Sequence, residues 1–558
     1  LINVCNTLIF TNKDSINSIN KDTEVIHINL ANSSGNIKDN FYKYVSNYEN
    51  RQIIEKTFKH KNDILKKILI KDDFQFKKSI YNFLDFKINY FLTFNFYVDK
   101  ALENILSKYQ PLNVIFDFKI SKNNIFENSF QTLLKKHLKN KKIPFKEKLY
   151  LIKEKKRANY FKKIKFLIHK FINIFKKKNN YILFNSDSYN IRFIFNKIKK
   201  NNSKLNFCFL EQENIFRLNS IFDIRVSSIV FKNNLENNLN ICEISNEFIE
   251  TSIIDTNLKN YLNYLNRGEL NELVNKIYFL NNNLIKNKPK LIICNMSLAL
   301  SFFLSEFGKI NNIETILTPH GTHPYTSDDT INNLWLHSSK FLLSKNFDCI
   351  AVQSPIMLNF LKRNSYNEKR LIISGPSNFT HPIKVKSSKG SNVIKKKLNI
   401  FSNKKILLHA STPKHYYNLR PIIFENIEEY IFQIKKIDDF ITKENLNFHL
   451  IIKFREIYGL NFDTFKKKLG NLNNSSISIK EDLEDLFNLS DIIISYSSTV
   501  IEEAFTFKKP IILIDYFKRY SHLNYYQNIN KDKNILPFKY ICNNKDFLEY
   551  LNNFNINN

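Results

Sequence analysis

The sequence predicts an α/β protein in which parallel sheets are covered by helices. Short apolar runs alternate with segments of helical periodicity, as where KLIICNM (290–296) is followed by the pattern SLALSFFLSEFGKI. This alternation is typical of βαβ units, because parallel strands need a crossover connection. At 558 residues the chain is also too long for a single hydrophobic core, so at least two domains are expected.

Five segments are predicted along the chain. The first contains strand-like runs around a long, aromatic-rich helical stretch at about 40–110 and becomes basic toward its end. The strand–helix alternation becomes clearer from YILFNSD onward, is interrupted by a polar, basic stretch, and then starts again at KKILLHAST. The predicted segments are an N-terminal α/β and helical region (1–180), the remainder of the N-terminal domain (181–380), a linker (381–404), a second α/β domain (405–530) and a C-terminal helical tail (531–558).

Part of the lysine excess behind the formal net charge of +32 is attributed to codon usage. Lys, Asn, Ile, Phe and Tyr are abundant throughout, while the chain has only 8 Gly and 1 Trp, which is the composition of an AT-rich genome. A localised basic patch would favour a nucleic-acid partner, but lysine spread over the whole chain does not. We therefore expect no nucleic-acid partner, although so basic a surface should attract phosphorylated substrates and anionic membranes.

The densest basic region, 135–178, contains an amphipathic pattern. Its apolar stripe is formed by Phe161, Ile164, Ile168, Phe171 and Phe175. These residues recur at helical spacing, and lysines occupy much of the remaining surface. Such a helix can lie in the headgroup region of an anionic membrane, but it can equally pack its stripe against the core.

The cysteines and the hydropathy favour the cytoplasm, with peripheral attachment to the inner face of the cytoplasmic membrane as a further expectation. No segment has the roughly 18 uncharged apolar residues that a spanning helix needs. The six cysteines lie far apart, mostly in apolar runs, without metal-ligand spacing. They are interpreted as reduced, buried side chains.

The strongest local signal is SDIIISYSSTVIEEAFTFKKPIILID (490–515). A buried strand ends in hydroxyl side chains, and a helix follows at once. Ser497, Ser498 and Thr499 can cap this helix and bind a phosphate, since ligands of parallel sheets bind at the carboxyl ends of strands. Glu502 follows in the helix and can accept hydrogen bonds from a sugar or ribose hydroxyl. A plain helix cap would account for the motif if it stood alone.

A second signal is the loop TPHGTHP (318–324), which follows a predicted strand. Gly321 allows a tight turn with close approach to a ligand. His320 would lie at the strand exit, where a base with a pKa near neutrality is useful. Asp328 and Asp329 follow and could orient an imidazole or bind an acceptor. The sequence therefore predicts His320, Asp328 and Asp329 as catalytic residues.

Weaker signals lie at other strand ends. Thr412 and Lys414 follow the first strand of the second domain, and Lys453 and Arg455 end its second strand. Gly375 closes the last strand before the linker. Together these residues would place cations and hydroxyl groups on one rim, as an anionic donor requires.

Taken together, the motifs resemble the glycosyltransferases of the GT-B architecture. The resemblance covers roughly 290–520 and comprises the HGT loop, the T-x-K turn, the strand that ends in Ile-Lys, and SDIIISYSS. The closest motifs are those of the CDP-glycerol glycerophosphotransferases and of related capsule or surface-polysaccharide transferases. The resemblance implies two Rossmann-like domains whose parallel sheets face an interdomain cleft, with the acceptor side at 181–380 and the nucleotide donor at 405–530.

The resemblance also implies roles for individual residues. His320 would be the base, the hydroxyl residues 497–499 and the pair Thr412 and Lys414 would bind phosphate, and Glu502 would contact the donor. Two positions depart from the family pattern, because Pro and Lys usually continue the HGT loop and the acid of the last motif is usually Asp. These departures leave the identity of the donor open.

The implied reaction moves a sugar or polyol phosphate from a CDP-, CMP- or UDP-linked donor to a surface glycan or a lipid-linked acceptor. Transfer would be inverting and would need neither a metal nor a cofactor. The alternatives are a sugar-nucleotide 2-epimerase of the same fold and a catalytically silent glycan-binding or assembly protein. Motifs of P-loop NTPases, zinc proteases and dinucleotide-binding enzymes do not occur in the sequence.

Overall fold

Three parallel sheets organise the part of the chain that the structure describes. The structure is a computed structural model and describes residues 5–11, 23–27, 44–71, 74–120, 125–151, 180–186, 189–212, 223, 225–231, 242–244, 252–319, 328–375, 388–400, 403–411, 427–456, 460–495, 500–516 and 538–556. Among these residues, no helix combines the length and the apolar character needed to cross a membrane.

The N-terminal sheet has four parallel strands in the order β2-β1-β4-β5. Its strands are β1 (Thr7–Thr11), β2 (Thr23–His27), β4 (Asn113–Ile120) and β5 (Phe145–Leu151). A separate antiparallel pair, β3 (Ile68–Ile70) with β9 (Cys242–Ile244), joins this region to the central domain.

The central sheet has seven parallel strands in the order β13-β12-β11-β10-β6-β7-β8. They are β6 (Tyr181–Phe184), β7 (Asn206–Gln212), β8 (Val226–Phe231), β10 (Leu291–Cys294), β11 (Glu314–Leu317), β12 (Cys349–Val352) and β13 (Leu371–Ile373). Counted within the domain, this is the Rossmann order 3-2-1-4-5-6 with one added strand. The strand order therefore reverses between β6 and β10.

The C-terminal sheet repeats the Rossmann order with six parallel strands, β16-β15-β14-β17-β18-β19. They are β14 (Lys405–His409), β15 (Phe448–Lys453), β16 (Ser475–Ser478), β17 (Ile492–Ser495), β18 (Ile511–Ile514) and β19 (Phe538–Ile541). The strand order of this sheet reverses between β14 and β17. Both faces are covered, and the central strands are accordingly continuous apolar runs.

The helices connect these strands. They are α1 (Asn47–Leu65), α2 (Lys77–Tyr109), α3 (Ile125–Lys141), α4 (Tyr189–Asn201), α5 (Ile253–Arg267), α6 (Glu269–Lys286), α7 (Leu300–Asn311), α8 (Asp329–Leu342), α9 (Pro355–Arg363), α10 (Ser388–Lys397), α11 (Ile427–Lys443), α12 (Phe462–Leu469), α13 (Leu483–Leu489), α14 (Val500–Thr506) and α15 (Asn544–Ile556).

Helix α2 explains why the N-terminal region and the central domain share one core. It is rich in aromatic residues and buries side chains on several faces, as expected of a helix surrounded by others. Phe91 stacks on Tyr261 of α5 at 4.1 Å, and Phe76, which precedes α2, packs edge-on against Phe303 of α7 at 4.7 Å. One continuous cluster of buried side chains consequently extends from Cys5 to Tyr366.

The predicted α/β class with two Rossmann-like domains is confirmed, and two such domains in tandem form the GT-B architecture. One segment contains more structure than its composition indicated. The predicted linker, 381–404, includes helix α10, and Leu398 and Ile400 behind it are buried in the C-terminal core. The predicted helical tail, 531–558, contributes strand β19 to the C-terminal sheet before its helix begins. The basic amphipathic segment 155–178 lies outside the described residues.

Candidate functional site

The carboxyl ends of β14 and β17 lie side by side where the strand order of the C-terminal sheet reverses. His409 of β14 is the register partner of Ile494, and the Ala410 amide donates to the Ile494 carbonyl at 2.9 Å. Such a reversal opens a crevice outside the strand ends, which is where ligands of open α/β sheets bind. Small side chains, Ala410 and Ser495, surround this position.

The predicted phosphate-binding residues directly follow these two strands. Thr412 and Lys414 come after β14, and Ser497, Ser498 and Thr499 come after β17. All five residues lie outside the described part of the chain, so their contacts stay predictions. The adjacent strand ends supply the reason why two motifs about 85 residues apart are expected to act together.

His409 is buried beneath this crevice. Its side chain is 1% exposed and its ring lies 5.5 Å from that of Tyr430 in α11. Within the described residues, its Nδ1 atom has no hydrogen-bond partner. Burial lowers the pKa of His409 to about 4, so the imidazole is neutral at physiological pH.

The two cations predicted at the end of β15 differ in their surroundings. The Lys453 ammonium donates to the carbonyl oxygens of Ile479 (2.8 Å) and Glu481 (2.6 Å), which ties β15 to the segment after β16. Burial lowers the pKa of Lys453. Arg455 is exposed at the same edge. Binding of a donor by either residue stays a prediction, and the structure gives Lys453 a structural role as well.

The predicted catalytic loop begins at the carboxyl end of β11 in the central sheet. The Thr318 hydroxyl donates to the Cys294 carbonyl at 3.1 Å, and the Pro319 carbonyl accepts a hydrogen bond from the Gln353 side chain. His320 comes next and lies outside the described residues. The predicted catalytic loop therefore starts at the edge of the central sheet formed by the carboxyl ends of its strands, as expected. The role of His320 stays a prediction.

Asp328 begins helix α8 and pairs with a residue from the N-terminal region. Its carboxylate accepts from the Ile331 amide at 3.1 Å and forms a two-point ion pair with Arg51 of α1, one contact being 2.8 Å. Burial tends to raise the pKa of Asp328, but the hydrogen bonds from Arg51 and Ile331 outweigh it and lower the pKa. The structure thus shows Asp328 capping α8 and pairing with Arg51, and Asp329 lies in the first turn of α8. Catalytic roles for both residues stay predictions.

A second set of contacts holds α1 and α2 against α8. The Glu55 carboxylate accepts from the Thr330 hydroxyl at 3.1 Å. Lys61, whose side chain is 2% exposed, pairs with Asp85 at 2.5 Å, and His337 of α8 contacts the same carboxylate at 3.2 Å. Burial lowers the pKa of Lys61 to about 8. The N-terminal region is therefore joined to the helix that follows the predicted catalytic loop.

Gly375 follows β13 with φ +68°, a conformation that favours glycine. Its amide and that of Ser374 both donate to the Val352 carbonyl, which closes the end of the sheet. An added Cβ would meet nothing within 4 Å there, so the position has room beside it. A role in donor binding stays a prediction.

Sequence analysis missed Gln353 and Ser354, which follow β12. The Ser354 hydroxyl donates to Oε1 of Glu502 at 2.5 Å, and this contact joins the central domain to helix α14 of the C-terminal domain. Ser354 follows the carboxyl end of β12, and Glu502 lies in the first turn of α14, the helix after β17. The central and C-terminal sheets therefore approach each other with the edges formed by the carboxyl ends of their strands. The Ser354-Pro355 pair is a common helix start and by itself indicates only a cap.

A polar cluster that the sequence did not predict lies between β6 and β10, where the central sheet reverses its strand order. The Asn185 amide donates to Asn295 Oδ1 (2.9 Å) and to the Ser301 hydroxyl (2.7 Å). Its oxygen accepts from the Asn295 backbone amide at 3.2 Å. These side chains satisfy one another at the edge between β6 and β10.

The arrangement can hold an anionic donor at the C-terminal switch point and present an acceptor from the edge of the central sheet. In the described part of the chain, no group of three or more His, Cys, Asp or Glu side chains could hold a metal ion. Transfer without a metal or cofactor stays a prediction.

Comparisons with known proteins give one family. The family described as CDP-Glycerol:Poly(glycerophosphate) glycerophosphotransferase matches residues 167–558. Among solved structures, the chain is similar to the wall teichoic acid polymerase TagF, with 12% identity, 77% of this chain and 92% of that chain covered, and a TM-score of 0.34. It is also similar to UDP-GlcNAc 2-epimerase from Neisseria meningitidis bound to UDP-GlcNAc, with 13% identity, coverage of 67% and 90%, and a TM-score of 0.41. No curated protein sequence matches it.

Proposed function

Because the chain belongs to the CDP-glycerol:poly(glycerophosphate) glycerophosphotransferase family, we propose that it transfers a polyol phosphate from a CDP-linked donor to a hydroxyl of a surface polymer. The observation that carries this proposal is the pairing of β14 with β17. It brings together the strand ends from which Thr412, Lys414 and residues 497–499 extend. These are the hydroxyl and cationic groups that a diphosphate requires.

The proposed step is a phosphoryl transfer. The acceptor hydroxyl oxygen forms a bond to the phosphorus of the polyol phosphate, and the bond from that phosphorus to the bridging oxygen of the diphosphate breaks. CMP leaves with the electron pair of the broken bond. His320 takes the proton of the acceptor hydroxyl, a role worth on the order of 10²–10⁴ in rate for a well-placed base.

The test uses the full chain with CDP-glycerol and an oligomeric glycerol phosphate acceptor. We expect CMP release that depends on the acceptor, together with growth of the acceptor by one glycerol phosphate unit in mass spectrometry. CDP-glycerol should also raise the melting temperature, because a ligand at about a hundred times its Kd adds about 2.7 kcal/mol to the free energy of unfolding. UDP-GlcNAc is the matched control donor.

Each alternative has its own outcome in this assay. Transfer of the sugar from UDP-GlcNAc to the acceptor, with inversion at the anomeric carbon, would identify a glycosyltransferase. Formation of an epimer without acceptor would identify a 2-epimerase. Binding of the polymer without consumption of any donor would indicate a glycan-binding or assembly protein.

A lipid-linked acceptor would require the enzyme to meet a membrane surface, and we propose residues 155–178 as the contact. The stripe of Phe161, Ile164, Ile168, Phe171 and Phe175 between lysines supports this proposal. Flotation with anionic liposomes should show binding that weakens with salt, since lysine–lipid attraction is screened. Binding that survives replacement of these lysines with Gln would contradict it.

A further inference from the structure

Two adjacent residues at the end of β12 contact both predicted halves of the site. The Gln353 side-chain amide donates to the carbonyl of Pro319, the residue directly before His320. The Ser354 hydroxyl donates at 2.5 Å to Glu502. Glu502 belongs to helix α14, which follows residues 497–499. One dipeptide therefore links the start of the predicted base loop to the helix behind the predicted phosphate site.

The contact is buried and is reinforced by apolar packing. Gln353 is 8%, Ser354 7% and Glu502 3% exposed. A buried carboxylate needs hydrogen-bond donors, so separation of the pair is unfavourable unless water replaces the lost bond. Ile356, in the first turn of α9, packs in the same apolar cluster as Ile501 of α14. The start of α9 thus serves as an anchor between the two domains.

We propose that Gln353 and Ser354 are positioning residues that align the segment beginning at His320 with the donor bound by the C-terminal domain. The inference rests on the proposed function, since it names what keeps those two groups in register. Neither residue touches the substrate in this scheme. Because the two are neighbours at a strand end, a shift of α14 is transmitted to Pro319 through two hydrogen bonds. A misplacement of about 1 Å can cost on the order of a hundredfold in rate.

The expected result is a loss of turnover without a loss of donor binding. For Ser354→Ala, kcat for acceptor-dependent CMP release from CDP-glycerol should fall about tenfold or more, the equivalent of one hydrogen bond to a charged group. The Kd for CDP-glycerol should stay within about threefold, because the Ser354 hydroxyl contacts no donor in this scheme and Glu502 itself is kept. Gln353→Met, which keeps volume but loses the donor to Pro319, should show the same split.

Ser354 also caps helix α9, and this second role must be separated. Its hydroxyl accepts from the Met357 amide at 3.2 Å. Ser354→Asp keeps a good cap but places a carboxylate against Glu502, so its kcat should fall below that of Ser354→Ala. Ser354→Thr keeps both hydrogen bonds and should restore kcat to within about threefold. A wild-type rate for Ser354→Asp would assign Ser354 to capping alone.

Ser252→Ala is the matched control for loss of a serine cap. Ser252 accepts from the Asp255 amide at 3.2 Å and donates to the Asp255 carboxylate at 2.8 Å, both within the first turn of α5. It lies in the central domain, and its hydroxyl bonds described above stay within that turn. The kcat of Ser252→Ala should match that of the wild type once both rates are divided by the fraction of folded protein.

Hydrogen exchange of the substrate-free protein makes the inference independent of the reaction. Ser354→Ala and Ser354→Asp should exchange faster in α9 and α14, whereas Ser252→Ala should not. If the wild type releases no CMP from CDP-glycerol, the proposed function fails, while the exchange data still decide whether the contact holds the domains together. Unchanged exchange in both helices overturns the inference, as does faster exchange with an unchanged kcat in an active enzyme.

Discussion

The central and C-terminal sheets have the same Rossmann order but differ in chemistry at the point where it reverses. In the central sheet, the Asn185 side chain forms hydrogen bonds with Asn295 and Ser301. The polar side chains at this edge therefore satisfy one another. In the C-terminal sheet, the corresponding edge carries the small residues Ala410 and Ser495 above the buried ring of His409. The same topology therefore carries a set of mutually bonded polar side chains at one edge and small side chains at the other.

Strand order alone therefore does not locate a ligand site. Parallel sheets place all carboxyl strand ends on one rim, but a polar group on that rim is available only when no neighbour satisfies it. Asn185 uses both amide hydrogens and its oxygen within the protein. Under the proposed function, the donor is expected beside β14 and β17, and the base and the acceptor are expected on the central sheet.

The strongest test of this division of roles removes the base. His320→Ala should reduce transfer by on the order of a hundredfold or more, because the acceptor proton loses its recipient. The Kd for CDP-glycerol should stay unchanged, since the donor is assigned to the other sheet. CMP release and calorimetric titration measure the two quantities. His323→Ala, in the same loop, is the matched control, and a rate within a few-fold of wild type for His320→Ala would reassign His320 to structure.

Asn185→Ala tests whether the central edge is structural. We expect the free energy of unfolding to fall by about 2–3 kcal/mol, because Asn295 and Ser301 lose their partners in a partly buried place. Denaturant titration measures this change. Ser186→Ala is the control, since its hydroxyl makes one long bond of 3.4 Å to Asn185. A tenfold loss of CDP-glycerol affinity in Asn185→Ala would instead put the donor on the central sheet.

Ser498→Ala tests the opposite edge. Loss of one hydrogen bond to a charged phosphate should weaken CDP binding by about tenfold, which is about 1.4 kcal/mol. Ser498→Asp should be worse, because it places a carboxylate where the phosphate binds. Thr506→Ala, at the far end of α14, controls for changes in the helix. Wild-type affinity in Ser498→Asp, measured by calorimetry, would move the phosphate site elsewhere.

The smallest expected effect concerns His409. Its pKa is lowered by burial to about 4 in the folded state, against about 6.5 in an unfolded chain. The unfolded state therefore binds more protons in this range, and stability is lost as pH falls. Between pH 7 and 5.5 the loss from this residue should be about 1 kcal/mol. His409→Phe keeps a ring against Tyr430. In this variant, the free energy of unfolding should fall by about 1 kcal/mol less between pH 7 and 5.5 than in the wild type.

Two other histidines serve as internal controls for that measurement. Burial also lowers the pKa of His337, in the central domain, and of His449, in β15, to about 4. His409→Phe should leave their contributions in place. If the free energy of unfolding of His409→Phe falls with pH as steeply as that of the wild type, His409 is protonated or exposed in the folded protein.

Much of the fold could be predicted because its signals are local. The run KLIICNM (290–296) contains β10, and the helical pattern SLALSFFLSEFGKI after it covers most of α7, because apolar periodicity is a local signal. The strands of the two Rossmann domains followed from short apolar runs. The segment 381–404 was less predictable, because α10 is lysine-rich and the burial of Leu398 and Ile400 depends on the C-terminal core behind them.

The site divides in the same way. The hydroxyl residues at 497–499 and the HGT loop stand out in the sequence, since each follows an apolar strand directly. Gln353 and Ser354 do not stand out, because their partners lie 34 and 148 residues away along the chain. For the same reason, the pairing of Asp328 with Arg51, 277 residues away along the chain, could not be predicted.

Local signals in the sequence were enough to predict many strands and helices and the polar side chains that follow strand ends. Periodicity and capping act between residues a few positions apart, so they can be recognised without a structure. Tertiary packing, in contrast, sets which strand ends are neighbours, satisfies the Asn185 side chain, and brings Ser354 of one domain to Glu502 of the other. Satisfaction of a polar group depends on whatever packs against it, and sheet topology brings those partners from distant parts of the chain.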